Sequence, residues 1–149
     1  MDDSCLFPEF DLQRAIGQYT FCTDVLNVIG HTQYSCVYNG HDNGNGNNVA
    51  VKQLHKYCYD SNEVLNALRT LPFSNHHQEN IMSVMYVELV DKNLWIILEH
   101  CPWNLETFCQ HESPSTDERF ELITQCMRGI YFLHTQDPLV SKTSLVISF

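Results

Sequence analysis

Apolar positions along the chain fall into short blocks set apart by glycine, asparagine and polar turns, and their period changes from about two to about 3.6 residues partway along. Residues 1–24 mix Phe7, Pro8, Phe10 and Leu12 with acidic side chains in no period that assigns an element, and they read as a packed lead-in. From Val25 onward the texture is β-rich. Val25, Leu26, Val28 and Ile29 run up to Gly30, Cys36-Val37-Tyr38 follows, and Val49-Ala50-Val51 comes after a run of asparagine and glycine from Asn39 to Asn48. Blocks of this kind predict antiparallel strands joined by hairpins. The Asn/Gly run can take positive φ repeatedly and is expected to form an exposed hairpin tip.

Between Asp60 and Leu71, Val64, Leu65, Leu68 and Leu71 keep helical spacing, which predicts a short amphipathic helix. Asp60 stands three residues before Glu63, the spacing of a capping box. Two more β-type runs, Ile81 to Val90 and Leu94 to Leu98, flank Asp91-Lys92-Asn93, a polar tripeptide suited to a hairpin turn. The pattern therefore predicts five strands and one helix by residue 98. Beyond His100-Cys101-Pro102 the period becomes helical, with a short candidate from Leu105 to Gln110 and a long one capped by Ser115-Thr116-Asp117-Glu118. The long one spans about 18 residues, or about 27 Å. Phe120, Ile123, Met127, Ile130 and Tyr131 form one stripe, and Leu122, Cys126, Gly129 and Leu133 another, so burial is expected over much of its circumference.

Composition narrows the function classes. With 149 residues, 44% hydrophobic and 11% aromatic, the chain has enough apolar material for a core. Eight Lys plus Arg against 18 Asp plus Glu give a formal charge of -10, which disfavours nucleic acid and anionic membranes as partners. No apolar run approaches the roughly 20 residues that a helix needs to span a bilayer. The start, Met1-Asp2-Asp3-Ser4, is acidic where a signal peptide would be basic, so a cytoplasmic location is expected. Seven scattered cysteines without a C-x-x-C pair read as buried, reduced thiols, and no metal site is expected.

The candidate chemistry sits on one strand. In Val49-Ala50-Val51-Lys52 the alternation of a strand puts Ala50 and Lys52 on one face and Val49 and Val51 on the other. That tetrad resembles the V-A-I-K motif of protein kinases, and the order of strand, glycine, strand, hairpin, lysine strand, capped helix, two strands, connector and helices resembles the N-terminal half of a kinase domain. The texture is closest to the kinase modules of the unfolded-protein-response sensor kinase-endoribonuclease and ribonuclease L, on Asn48 to Lys52, on Leu94 to Cys101 as strand into an E-x-C hinge, and on Arg119 to His134 as a long helix ending in Leu-His. The resemblance covers roughly residues 22–149. It implies an α+β, protein kinase-like fold: a lead-in over 1–24, a five-stranded antiparallel N-lobe with one helix over 25–98, and a hinge with a truncated helical C-lobe over 99–149.

The resemblance also implies roles. Lys52 would neutralise nucleotide phosphates and be held by Glu63, which could equally be the N3 residue of its own capping box. Gly30 is the surviving first glycine of the phosphate loop, and Val37 is either the roof over a base or ordinary core. Leu98 would gate the back of the pocket, and Glu99, His100 and Cys101 would offer backbone to adenine. The pair His76-His77 before Gln78-Glu79-Asn80-Ile81 resembles the H-x-N-I turn with one residue inserted and reads as structural.

Departures from the pattern set the functional expectation. Against G-x-G-x-x-G-x-V the chain has Gly30-His31-Thr32-Gln33-Tyr34-Ser35-Cys36-Val37, so Thr32 and Ser35 replace two glycines. With Leu139-Val140 on the apolar pair that precedes H-R-D, Ser141-Lys142-Thr143 occupies the motif and Ser148 the asparagine position, while Asp137 precedes Pro138 as a turn residue. No D-F-G follows in this sequence. The expectation is a pseudokinase with weak ATP binding through Lys52, no bound metal and no phosphoryl transfer, acting on a protein partner such as a related full-length kinase. The alternatives are a fragment or isoform of an active serine/threonine kinase, and a non-kinase α+β scaffold in which V-A-V-K is coincidence.

Overall fold

In the computed structural model, residues 12–54 and 79–135 are described. The helix expected over 60–71 with Glu63, the His76-His77 pair and the segment from 136 onward lie outside them. The described strands are β1 (Gln13–Ile16), β2 (Tyr19–Cys22), β3 (Val28–His31), β4 (Ser35–Asp42), β5 (Asn48–Leu54), β6 (Val84–Val90) and β7 (Asn93–Glu99). They form one antiparallel sheet in the order β1-β2-β4-β5-β7-β6, with β3 also paired to β4. Two helices follow, α1 (Leu105–Glu112) and α2 (Thr116–Thr135). The five expected strands are present, and the α+β reading holds.

The sheet buries both faces, because its central strands carry apolar residues at successive positions and the pleat sends alternate side chains to opposite sides. Val37, Ala50, Leu54, Val84, Val87, Leu94, Ile96 and Leu98 build one core. Ile16, Tyr19, Phe21, Tyr38, Val49, Val51, Trp95 and Ile97 build the other. In β7 the run Leu94-Trp95-Ile96-Ile97-Leu98 alternates between the two cores without a break. Val84 and Val87, three residues apart, share a face because the register slips by one at Met85.

The second core depends on β1 and β2, which arise in the stretch that sequence periodicity left unassigned. Tyr19 and Phe21 do alternate with Gln18, Thr20 and Cys22, but four-residue strands are too short for a periodic signal to stand out. Phe21 packs at a tilt against Trp95, 5.1 Å between ring centroids, and the Arg14 guanidinium lies 5.8 Å over the same indole. The sheet curls far enough for the Tyr19 ring to meet Tyr86 of β6 at 6.1 Å.

Three local expectations need correction. Val25 and Leu26 are not strand residues: Asp24 caps a 3-10 turn over Val25–Asn27, accepting from the Asn27 backbone at 3.0 Å and from its side chain at 2.9 and 2.8 Å. This local bonding outcompetes extension, and leaves Val25 86% and Leu26 95% exposed. The Asn/Gly run is not a tip from Asn39 to Asn48, since β4 continues to Asp42 and only residues 43–47 turn. Buried Asp42 anchors that turn, accepting from Gln18 Nε2 at 2.6 Å and from the Gly44 amide at 2.8 Å. Among the described cysteines none is in a disulfide, but Cys101 and Cys126 are exposed where burial was expected.

The helices start where their caps predict. Asn104 accepts from the Thr107 amide at 2.8 Å to begin α1. Ser115 and Glu118 form a reciprocal capping box for α2, with the Ser115 amide donating to Glu118 at 2.8 Å and the Glu118 amide to Ser115 Oγ at 3.3 Å. Burial of α2 is narrower than its sequence implies. Gly129 is its one buried residue, Phe132 and Leu133 pack on the first core beside Ile81 and Met82, and the stripe from Phe120 to Tyr131 faces outward, both of those residues 72% exposed.

Gly129 makes this docking feasible, since a Cβ there would stand 2.6 Å from the Asn80 carbonyl oxygen, a backbone atom that cannot swing aside. Alanine in a free helix gains about 1 kcal/mol over glycine. Here the sign inverts, because overpacking of this kind costs about 1–3 kcal/mol. Gly129→Ala is expected to lower the melting temperature in circular dichroism, while Phe120→Ala on the outward stripe changes stability by less than about 0.5 kcal/mol. A rise in melting temperature for Gly129→Ala would contradict this docking.

Candidate functional site

Register across the sheet assembles the site. Gly30 of β3 pairs with Val37 of β4, Val37 with Lys52 of β5, Lys52 with Ile96 of β7, and Ile96 with Val87 of β6. Residues paired across an antiparallel ladder share a face, so one row crosses five strands on the side of the first core. The adjacent row brings Asn39, Ala50, Leu98 and Val84 into line. Val37, Ala50, Lys52 and Leu98 are thus gathered on one face, with the β3–β4 hairpin at the edge of the same row.

Lys52 is 4% exposed on an otherwise apolar face. Burial pushes its ammonium pKa below the ordinary lysine value, because desolvation disfavours the charged form. A buried cation in such a row is chemically distinct from the solvated lysines that decorate most strands. Leu98 is fully buried between Ala50 and Val84. Glu99 is engaged within the protein: its amide donates to the Ser83 carbonyl at 3.1 Å, and its carboxylate accepts from the Ser83 amide at 2.8 Å. This two-bond clasp fixes the end of β7 to the entry of β6, so the Glu99 amide and carboxylate are structural. Cys101 lies exposed beyond the clasp, with the protein beneath it and the Glu99 carboxylate raising its thiol pKa. Glu63 lies outside the described residues.

Gly30 is not demanded by its backbone. A Cβ there would meet only Val37 atoms at 3.9 Å, an ordinary contact. The informative residue of this hairpin is Thr32. Its Oγ1 accepts from the amides of Tyr34 and Ser35, both at 3.1 Å, and lies 3.0 Å from Ser35 Oγ. Its own amide donates to the Ser35 carbonyl at 2.8 Å. Thr32 does more than replace a glycine of the pattern, because its hydroxyl has taken up the loop amides. An S/T turn is legible in a Thr-x-x-Ser spacing once it is sought.

Val37, Ala50 and Leu98 form an apolar wall, and Lys52 lies on the same face of the sheet. Two amides at the tip of the neighbouring loop already have an acceptor.

The protein kinase domain model matches residues 23–140. The chain belongs to the protein kinase domain family. The non-kinase scaffold alternative therefore falls. Mouse mitogen-activated protein kinase 12 is 25% identical over 116 residues, covering 73% of this chain and 32% of that protein, and the rat protein gives the same figures. The chain thus spans about a third of the length of these curated relatives. Strands β1 and β2 both precede the matched kinase segment, so the hairpin that closes the second core lies outside it. No described helix is long and apolar enough to cross a membrane.

The lowered Lys52 pKa has a signed consequence. The unfolded chain holds the lysine proton up to about pH 10.4, while the fold releases it earlier. Over that alkaline window the unfolded state binds more protons, so this residue's contribution to stability rises with pH. Tyr19 and Tyr38, whose pKa values burial raises, act in the opposite sense but do so equally in a variant. The melting temperature of wild type minus that of Lys52→Met is expected to climb between pH 7 and pH 10. A flat difference would show that Lys52 is solvated.

Proposed function

We propose that this chain is a protein kinase-like binding module, a pseudokinase that holds a nucleoside-type ligand and does not transfer phosphoryl groups. The observation that carries this reading is the buried Lys52, set in one row with Val37 and beside Ala50 and Leu98. Such a row supplies ligand contacts without supplying chemistry. Phosphoryl transfer needs a base that accepts the substrate hydroxyl proton and groups that stabilise spreading charge. In the register set by Leu139-Val140, Ser141-Lys142-Thr143 stands where the base is required, and Thr143 cannot take that role at neutral pH. The finer resemblance, to the unfolded-protein-response sensor kinase-endoribonuclease and ribonuclease L, is part of the proposal and rests on Asn48 to Lys52 and the Glu99-His100-Cys101 hinge. A regulatory role through a protein partner, such as a related full-length kinase, is supported by the outward stripe Phe120, Ile123, Met127, Ile130 and Tyr131 on α2.

A second reading is favoured by that same stripe together with the span of about a third of the relatives' length. In it, these residues belong to a longer serine/threonine kinase whose remaining helices cover α2. A transcript that continues past Phe149 into an aspartate-bearing magnesium site would support it.

Two measurements test the first reading. Purified protein incubated with radiolabelled ATP and a generic protein substrate is expected to transfer no label, and transfer abolished by Lys52→Ala would sink the pseudokinase assignment. Thermal shift with ATP, ADP and adenosine, each with and without magnesium, is expected to stabilise wild type with at least one of them, and any shift given by ATP or ADP is expected to fall in Lys52→Ala. No shift with any ligand would remove the pocket.

A further inference from the structure

A loop that grips a phosphate must present amides with no acceptor of their own, because each N–H already bonded must break that bond before it can serve a ligand. The β3–β4 hairpin does not meet this condition. Thr32 Oγ1 sits inside the turn and accepts from Tyr34 and Ser35, the two amides at the tip. The Thr32 amide is spent on the Ser35 carbonyl, which closes the turn from the other side. Ser35 itself is buried and its hydroxyl lies 3.0 Å from Thr32, so the contact belongs to the packed base of the hairpin. The threonine oxygen thus stands where an anionic oxygen would otherwise collect these donors.

The rest of the molecule strengthens the discrimination. Lys52 is the one buried cation among the described residues, and burial lowers its pKa. The chain as a whole carries a formal charge of -10, which repels a polyanion at long range. An uncharged purine-like heterocycle or nucleoside meets neither obstacle, since the contacts proposed for it are the apolar side chains of Val37, Ala50 and Leu98, on one face of the sheet.

We propose that Thr32 is a specificity-determining residue: its hydroxyl self-occupies the loop amides, so the pocket takes a nucleoside in preference to a nucleoside di- or triphosphate. This rests on the pocket reading given above and deepens it by naming the ligand class. Thr32→Ala removes the internal acceptor and frees both amides, whereas Thr32→Ser keeps the hydroxyl and the lock.

The test is calorimetric titration of the full chain, as wild type, Thr32→Ala and Thr32→Ser, with adenosine, AMP, ADP and ATP, the last two with and without magnesium. Wild type and Thr32→Ser are expected to bind adenosine at least as tightly as ADP. Thr32→Ala is expected to raise the ratio of ADP to adenosine affinity by about tenfold, the scale of one or two hydrogen bonds regained by the phosphates. A wild-type protein that binds ADP tenfold more tightly than adenosine, or a ratio unchanged in Thr32→Ala, would overturn the role of Thr32 and leave the pocket standing. Failure of wild type and both variants to bind any of the four ligands would overturn the pocket, and this proposal with it.

Discussion

Strand β5 turns neither face to water, and the described structure depends on that constraint. Val49 and Val51 enter one core while Ala50, Lys52 and Leu54 face the other, and β4 and β7 hold the strand along almost its whole length. A strand buried on both sides tolerates a charge only where the fold provides for it. Lys52 is therefore placed by the same packing that makes the sheet stable, and its altered protonation is a consequence of that packing. The second core exists because Tyr19 and Phe21 come from a hairpin that precedes the matched kinase segment. This chain thus brings its own cover for the face of the sheet that lies away from the candidate pocket.

The two ends of the site differ in character. At the Leu98 end, backbone and side chain are rigidly satisfied: Glu99 clasps Ser83 through two hydrogen bonds, and Leu98 is closed between Ala50 and Val84. At the loop end, the amides are also satisfied, but by a single exposed threonine. Lys52 lies between them. A kinase-like frame is preserved where it is needed for folding, and altered at the position where phosphate would be handled. Positioning and charge stabilisation make up nearly all that a kinase contributes to its reaction, so the proposed absence of phosphoryl transfer is compatible with an intact frame.

Much of this was legible from the residues. The alternation in Val49 to Lys52 and the unbroken apolar run Leu94 to Leu98 gave the central strands, and Ser115 with Glu118 gave the start of α2, because each is a local pattern with one structural solution. The hairpin β1–β2 was not legible, since its stabilisation comes from Trp95 and Tyr86, more than 60 residues away. Val25 and Leu26 misled because their β propensity is overridden by the Asp24 side chain. The stripe from Phe120 to Tyr131 correctly marked a helix but not its burial, since periodicity names an apolar face without naming what covers it. In the site, the lysine and the apolar wall were legible as a motif, whereas the Thr32 lock and the Glu99 clasp appear only when hydrogen-bond partners are counted.

The central claim is that the sheet is one cooperative unit with two cores joined through β5. Amide hydrogen exchange followed residue by residue tests it most directly, since amides that open together report the same free energy. The account predicts that β5, β7 and the Tyr19 to Phe21 segment of β2 exchange with one shared and highest opening free energy, well above that of α1. Exchange of β2 through easy local openings while β5 stays protected would contradict it, because the second core would then add nothing to the first.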